Sequence, residues 1–157
     1  MVNAPDRFKE AIVTITTAIQ QQPVEPALVE TLESGFPADG PLFQELEALC
    51  RQGVSEGWLC NQEAGGIKFG RVIKAGPDTH GYSVDVVEMK DVVGPHHRHP
   101  NGEIDMIMPL DAGAEFDGKG RGWLVYGPDS AHKPTVRGGG ALVLYLLPDG
   151  EIEFTRG

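Results

Sequence analysis

The stretch GPHHRHPNGEIDMIMPL, Gly94 to Leu110, decides how this chain is read. It places three histidines (His96, His97, His99) and two carboxylates (Glu103, Asp105) within ten residues and then runs into an apolar segment. Alternate side chains of a strand share a face, so an HxH pair sets the imidazoles of His97 and His99 side by side, with His96 and Arg98 pointing away. The turn-forming Pro100, Asn101 and Gly102 let the chain reverse. The next strand then presents Glu103, Asp105 and Ile107 on one face and Ile104, Met106 and Met108 on the other. A carboxylate can thus face two imidazoles across a hairpin, a donor set suited to a divalent transition metal. The competing reading is a solvated turn whose histidines bond only water.

Working outward, GPDSAH brings in His132, which leaves His80 as the one histidine outside these two segments. A metal centre open to chemistry has three or four protein ligands and a free position, so His97, His99, Glu103 and His132 form the candidate set. The residues around it have a period of two. Candidate strands are IKFGRVIKA, YSVDVVEM, EIDMIMPL, GWLVYG, ALVLYLLP and EIEFT, separated by Gly, Pro and Asp turns, a pattern that predicts an antiparallel barrel or sandwich. RGGGALVLYLL reads as a tight turn before a buried strand, since no helical pattern follows that would make it a phosphate loop.

The front of the chain differs. Only two of its 21 glycines precede Gly53, and the hydrophobic spacing is helical. Phe8, Ile12, Ile15 and Ile19 make one apolar stripe. EPALVETLESGF is a short second helix ended by Gly35, and Leu42, Leu46, Leu49 and Cys50 mark a third, with Pro41 in its first turn and Asp39 placed to cap it. The expected organisation is an N-terminal helical segment over 1–62 packed on a β unit over 63–157, within one compact domain.

A formal charge of −10, with nine acids and three bases in residues 1–56, disfavours nucleic acid and anionic lipid as partners. A small-molecule substrate fits better. No apolar run is long enough to span a membrane and the N-terminus is charged where a signal peptide is apolar, so the expectation is a cytoplasmic protein. Cys50 and Cys60 match no zinc spacing and read as buried free thiols.

Other candidate site residues follow from strand parity. Asp105 shares the inward face with Glu103, where it can serve acid or base chemistry or make a structural ion pair. Arg71 has the parity of Ile67, Phe69 and Ile73, which points its guanidinium inward. A buried guanidinium needs an anion, either Glu103, Asp105 or the carboxylate of a ligand. Tyr82, Trp123 and Tyr126, with Trp58, are candidates to stack on an aromatic ring, although such residues are more often packing.

HRHPNGE followed by GPDSAH resembles the two motifs of the cupin superfamily, with Asp129 where glycine is common and no asparagine at the usual place after His132. The resemblance covers about residues 65–154. It implies a mainly β, cupin-like antiparallel barrel (jelly roll) holding a divalent transition metal (Zn, Fe, Mn or Ni) on His97, His99, Glu103 and His132, and often a homodimer. The whole chain, through GWLCNQEAGGIKFGRVIK, the histidine stretch and GWLVYGPDSAHKPTVRGGGALVLYLLPDGEIEF, is further similar to the bacterial 4-hydroxylaminobenzoate lyase family. That likeness implies conversion of 4-hydroxylaminobenzoate to 3,4-dihydroxybenzoate and ammonia. Glu103 or Asp105 would move protons, Arg71 would hold the benzoate carboxylate, and Tyr82, Trp123 and Tyr126 would line the substrate. Rival readings are a metal-dependent dioxygenase of small aromatic compounds and a barrel that binds a ligand without transforming it.

Overall fold

The computed structural model describes residues 3–155. Three helices, α1 (Ala4–Ile19), α2 (Leu28–Gly35) and α3 (Pro41–Glu56), come first. Ten strands follow: β1 (Gln62–Ala64), β2 (Ile67–Ile73), β3 (Tyr82–Val93), β4 (His97–His99), β5 (Glu103–Pro109), β6 (Glu115–Phe116), β7 (Gly122–Tyr126), β8 (Ser130–His132), β9 (Thr135–Pro148) and β10 (Glu153–Phe154). They make two antiparallel sheets. The larger has the order β1-β2-β3-β9-β5-β7 with β6 also on β9, and the smaller has the order β10-β4-β8. This is the mainly β, antiparallel class that the period-two segments predict, in a jelly-roll arrangement. No described helix is long and apolar enough to cross a membrane.

The helices cover the outer face of the larger sheet. On α1, Phe8, Ile12, Ile15 and Ile19 are all buried, as their spacing requires. The Asn3 side chain accepts from Asp6 N at 2.9 Å and closes the helix start. Helix α3 begins at Pro41 without a side-chain cap; Gly40 holds the cap position, so Asp39 does not cap it. Its end is Gly57, whose φ of 86° is a left-handed geometry that a side chain would strain.

Strand alternation divides the apolar residues into two cores. Val84, Val86, Ile104, Met106, Leu144 and Leu146 join the helices in one core. Val87, Met89, Ile107, Val143 and Tyr145 belong to the other, on the inner face. Both cysteines are free and buried.

Two local expectations need correction. The glycine run does not end a turn before β9; it lies inside β9, where a register shift opposite Lys90 and Val92 absorbs it. The Asp91 carboxylate accepts from both Gly138 N (2.9 Å) and Gly139 N (3.2 Å), which satisfies backbone groups that the bulge removes from the ladder. A second bulge, between Arg71 and Ile73, breaks the parity assumed for β2. Arg71 stays with Ile67 and Phe69, whereas Ile73 packs on the helix side.

Candidate metal centre and substrate cavity

The metal candidates come from both sheets. His97, His99 and His132 lie on adjacent strands of the small sheet, where His97 pairs with His132 and His99 with Ser130. Glu103 begins β5 of the large sheet, opposite Tyr126. The link between the sheets is the turn Pro100–Gly102. Gly102 has φ 96°, and a Cβ there would meet Tyr126 O at 2.9 Å and a Val24 methyl at 2.7 Å, so only glycine brings the chain round this closely.

One ligand atom from each of these residues lies within 4.8 Å of all the others. His99 Nε2 stands 3.0 Å and His97 Nε2 3.3 Å from Glu103 Oε1, and His132 Nε2 stands 3.5 Å from Glu103 Oε2. The Nε2 atoms of His132 and His97 are 3.1 Å apart. For a ligand distance of about 2.1 Å, two donors on one ion sit roughly 3.0 Å apart in an octahedron and roughly 3.4 Å apart in a tetrahedron. The spacings therefore match a shared ion.

The outer bonds support the same conclusion. Ser130 Oγ donates to Gly127 O at 2.6 Å, which leaves it to accept from His99 Nδ1 at 2.9 Å. His99 then carries its proton on Nδ1, and the lone pair of Nε2 faces Glu103. His132 Nδ1 donates to Asp117 Oδ2 at 2.6 Å, which similarly frees its Nε2. His99 Nε2 and Glu103 Oε2 are buried and lack hydrogen-bond partners. The short His99–Glu103 approach is thus lone pair against lone pair, which a cation between them would relieve. These residues fit a divalent metal.

Electrostatics divide the two carboxylates. Burial raises the Glu103 carboxyl, but the surrounding His132, His97 and His99 side chains outweigh it and hold the group well below its usual range. Burial also raises Asp105, and the neighbouring Glu103 charge pushes it further up, so Asp105 is the neutral acid of the pair. Neither Asp105 oxygen has a donor. His132 loses proton affinity by burial and regains more from Asp117 and Glu103, which lifts it from 6.5 to about 9.

Beside His97 a cavity of about 530 Å³ opens between β2 of the large sheet and β4 and β10 of the small one. Its walls are largely apolar, with Phe69, Val87 and Met89 on one side and Ile152 and Phe154 on the other. Phe154 is 68% exposed, and its ring lies 6.0 Å from that of His97. At one end Arg71 makes a paired contact with Asp85, Nε to Oδ1 at 2.9 Å and Nη2 to Oδ2 at 3.1 Å, and Nη2 also reaches Gly150 O.

Arg71 therefore lines the cavity as parity requires, but its protein anion is Asp85, not Glu103 or Asp105. Tyr82 and Trp123 do not line it. Both face the helix-side core, where Trp123 Nε1 donates to Phe36 O at 2.9 Å and its ring meets Phe43 edge-on at 5.8 Å. On β7 the parity that turns Leu124 inward necessarily turns Trp123 outward. Tyr126 faces inward but lies against the metal candidates: its ring is 4.4 Å from that of His132, and its hydroxyl donates to Asp117 Oδ2 at 2.6 Å. Its place is behind His132, not on the cavity wall.

His96 and Arg98 point away from the centre as expected. His96 bonds the Thr155 hydroxyl, and Arg98 pairs with Glu153 and Asp129. Three residues escaped the sequence reading. Asp117, in the FDGKG turn, carried no motif. Asp85 and Tyr145 left a faint signal, being the polar members of the inward sets of YSVDVVEM and ALVLYLLP.

The family model described as PnbB: 4-hydroxylaminobenzoate lyase matches residues 10–154. A 4-hydroxylaminobenzoate lyase of Nocardioides sp. (strain LMS-CY) is 30% identical over 98% of this chain and 96% of its own. One of Pseudomonas putida is 27% identical over 98% of this chain and 97% of its own. Among solved structures, an RmlC-like cupin protein from Ralstonia eutropha aligns over 54% of this chain and 57% of its own, with 11% identity and a TM-score of 0.42. By the extent of the family match, this chain belongs to the 4-hydroxylaminobenzoate lyase family.

Proposed function

We propose that this protein is a lyase that converts 4-hydroxylaminobenzoate and water to 3,4-dihydroxybenzoate and ammonia. The observation that carries this reading is the convergence of His97, His99, Glu103 and His132 beside an apolar cavity, in a chain of this family. When bound on these four donors, a divalent metal supplies Lewis acidity toward an oxygen of the substrate. Its identity among Zn, Fe, Mn and Ni is a matter for metal analysis, because imidazole and carboxylate serve all four.

The chain's own residues would act as follows. The apolar walls take the aromatic ring and exclude water from all but the reacting end. Arg71 holds the benzoate carboxylate through the guanidinium edge not occupied by Asp85, which fixes the ring's direction. Asp105, the neutral acid, supplies a proton as the N–O bond breaks and the hydroxylamine oxygen leaves as water. Water then adds at the neighbouring ring carbon, and the conjugate base of the same carboxyl pair takes a proton from it. Hydrolysis of the imine at the nitrogen-bearing carbon releases ammonia and leaves two ring oxygens. One water leaves and two enter, so no oxidant is consumed.

The test is ammonia release from 4-hydroxylaminobenzoate under strict anaerobiosis by metal-replete protein. Turnover without oxygen supports the lyase. Activity that appears only with oxygen would favour a dioxygenase, and binding without turnover would favour a ligand-binding role. We also propose a homodimer, supported by the exposed apolar side chains of Val93 and Phe154 and tested by light scattering.

A further inference from the structure

The inner face of the large sheet carries a polar row that no strand reveals alone. Arg71 pairs with Asp85, Asp85 with Tyr145 and Tyr145 with Asp105, so four adjacent strands, β2, β3, β9 and β5, each place one polar residue in line. The next row along is apolar throughout, as Phe69 pairs with Val87, Val87 with Val143 and Val143 with Ile107. Adjacent strands lie about 4.8 Å apart, so the backbones of Asp85 and Asp105 are roughly 10 Å apart with Tyr145 midway.

Tyr145 is the unexplained member of this row. Arg71 and Asp85 satisfy each other, and Asp105 is adjacent to Glu103. Tyr145 is 6% exposed and lines the cavity, and its hydroxyl forms no hydrogen bond with any described residue. The Tyr145 hydroxyl is not sealed in the core and is accessible from the cavity, whereas the phenol of Tyr126, on the same sheet, is already bonded to Asp117. An unpartnered donor on a cavity wall, between an arginine end and a proposed metal end, is a feature built for a ligand's polar atom.

We propose that Tyr145 contacts the substrate, its phenol donating a hydrogen bond to the polar substituent para to the carboxylate of an aromatic acid whose carboxylate lies at Arg71. This rests on the reading of an aromatic acid as substrate and assigns that ligand a second polar anchor. The proton stays on the phenol throughout, so the residue positions the ring substituent and takes no part in proton transfer.

The test is a cycle that removes one hydroxyl from the protein and one from the ligand. Affinities of the metal-loaded full chain for 4-hydroxybenzoate and benzoate are measured by calorimetry for wild type and Tyr145→Phe. Tyr145→Phe keeps the ring, whose centroid lies 6.2 Å from that of Phe116. A hydrogen bond of ordinary strength predicts a loss of roughly fivefold to tenfold for 4-hydroxybenzoate and less than twofold for benzoate. Equal losses for both ligands, no loss for either, or a wild type that binds neither would overturn the proposal. The ratio of the two affinities within one protein cancels any unfolded fraction, so a less stable variant still decides the matter. Absence of ammonia release by wild type would sink the lyase reading alone, because the binding cycle does not depend on turnover.

Discussion

Asp117→Asn tests the centre through a residue that touches no substrate. The Asp117 carboxylate takes three donors: His132 Nδ1 and the Tyr126 hydroxyl on Oδ2, both at 2.6 Å, and Thr135 N on Oδ1 at 2.8 Å. An amide has one acceptor oxygen, so asparagine keeps either the Oδ2 pair or the Thr135 bond and turns its NH₂ toward the other. It also removes one of the two carboxylate charges, Asp117 and Glu103, that lift His132 to about 9. The backbone tolerates the change, since φ is 50° at this position and asparagine is among the few side chains at ease in the left-handed region. Loss of an outer partner of a metal-bound histidine typically weakens metal affinity about 10- to 100-fold, or roughly 1.4–2.7 kcal/mol. Competition with a chromophoric chelator gives the affinity, and far-UV circular dichroism checks the fold. Metal affinity within twofold of wild type, with the fold intact, would refute the role given to Asp117 and weaken the assignment of His132 as a ligand.

Other changes separate ligation, anchoring and packing. His99→Ala should abolish stoichiometric metal while the circular dichroism spectrum persists; retained metal would remove His99 from the donor set. Arg71→Met should lower affinity for benzoate at least tenfold with metal content unchanged, and equal binding would return the arginine to its pairing with Asp85. Trp123→Ala should destabilise the fold by about 3–5 kcal/mol in urea unfolding yet leave benzoate binding by the folded protein unchanged, because the indole lies among the helices. Metal uptake should strengthen about tenfold per pH unit up to about 9, since the ion displaces the His132 proton, and then level off. The linked effect on metal-free protein has the opposite sign. A raised histidine stabilises the fold below about 6.5, and that contribution fades as pH climbs toward 9, which melts at a series of pH values would detect.

How much of the site could be read from the chain depended on local periodicity. Helix α1 and strands β2, β3, β5 and β7 were visible because a repeat of 3.6 or 2 survives over five or more residues. Strands β1, β6 and β8 span only two or three residues, too few for alternation to be seen. Parity placed Arg71 and Asp105 on the inner face, but it could not separate Tyr126 from the cavity wall or show that the bulge at Arg71 turns Ile73 outward.

By itself, the sequence determined which side chains can share a face: HxH, the alternation of β5 and the helical stripe of α1 are constraints between near neighbours, set by backbone geometry. Tertiary structure decided what those faces meet. Pairing of β4 with β8 brings His132 to His97, the closing of the small sheet against the large one sets Glu103 against both and Asp117 behind His132, and register within the large sheet lines up Arg71, Asp85, Tyr145 and Asp105 across four strands. Strand register is a contact between distant segments, selected by burial of whole faces, and no local pattern in a single chain encodes it.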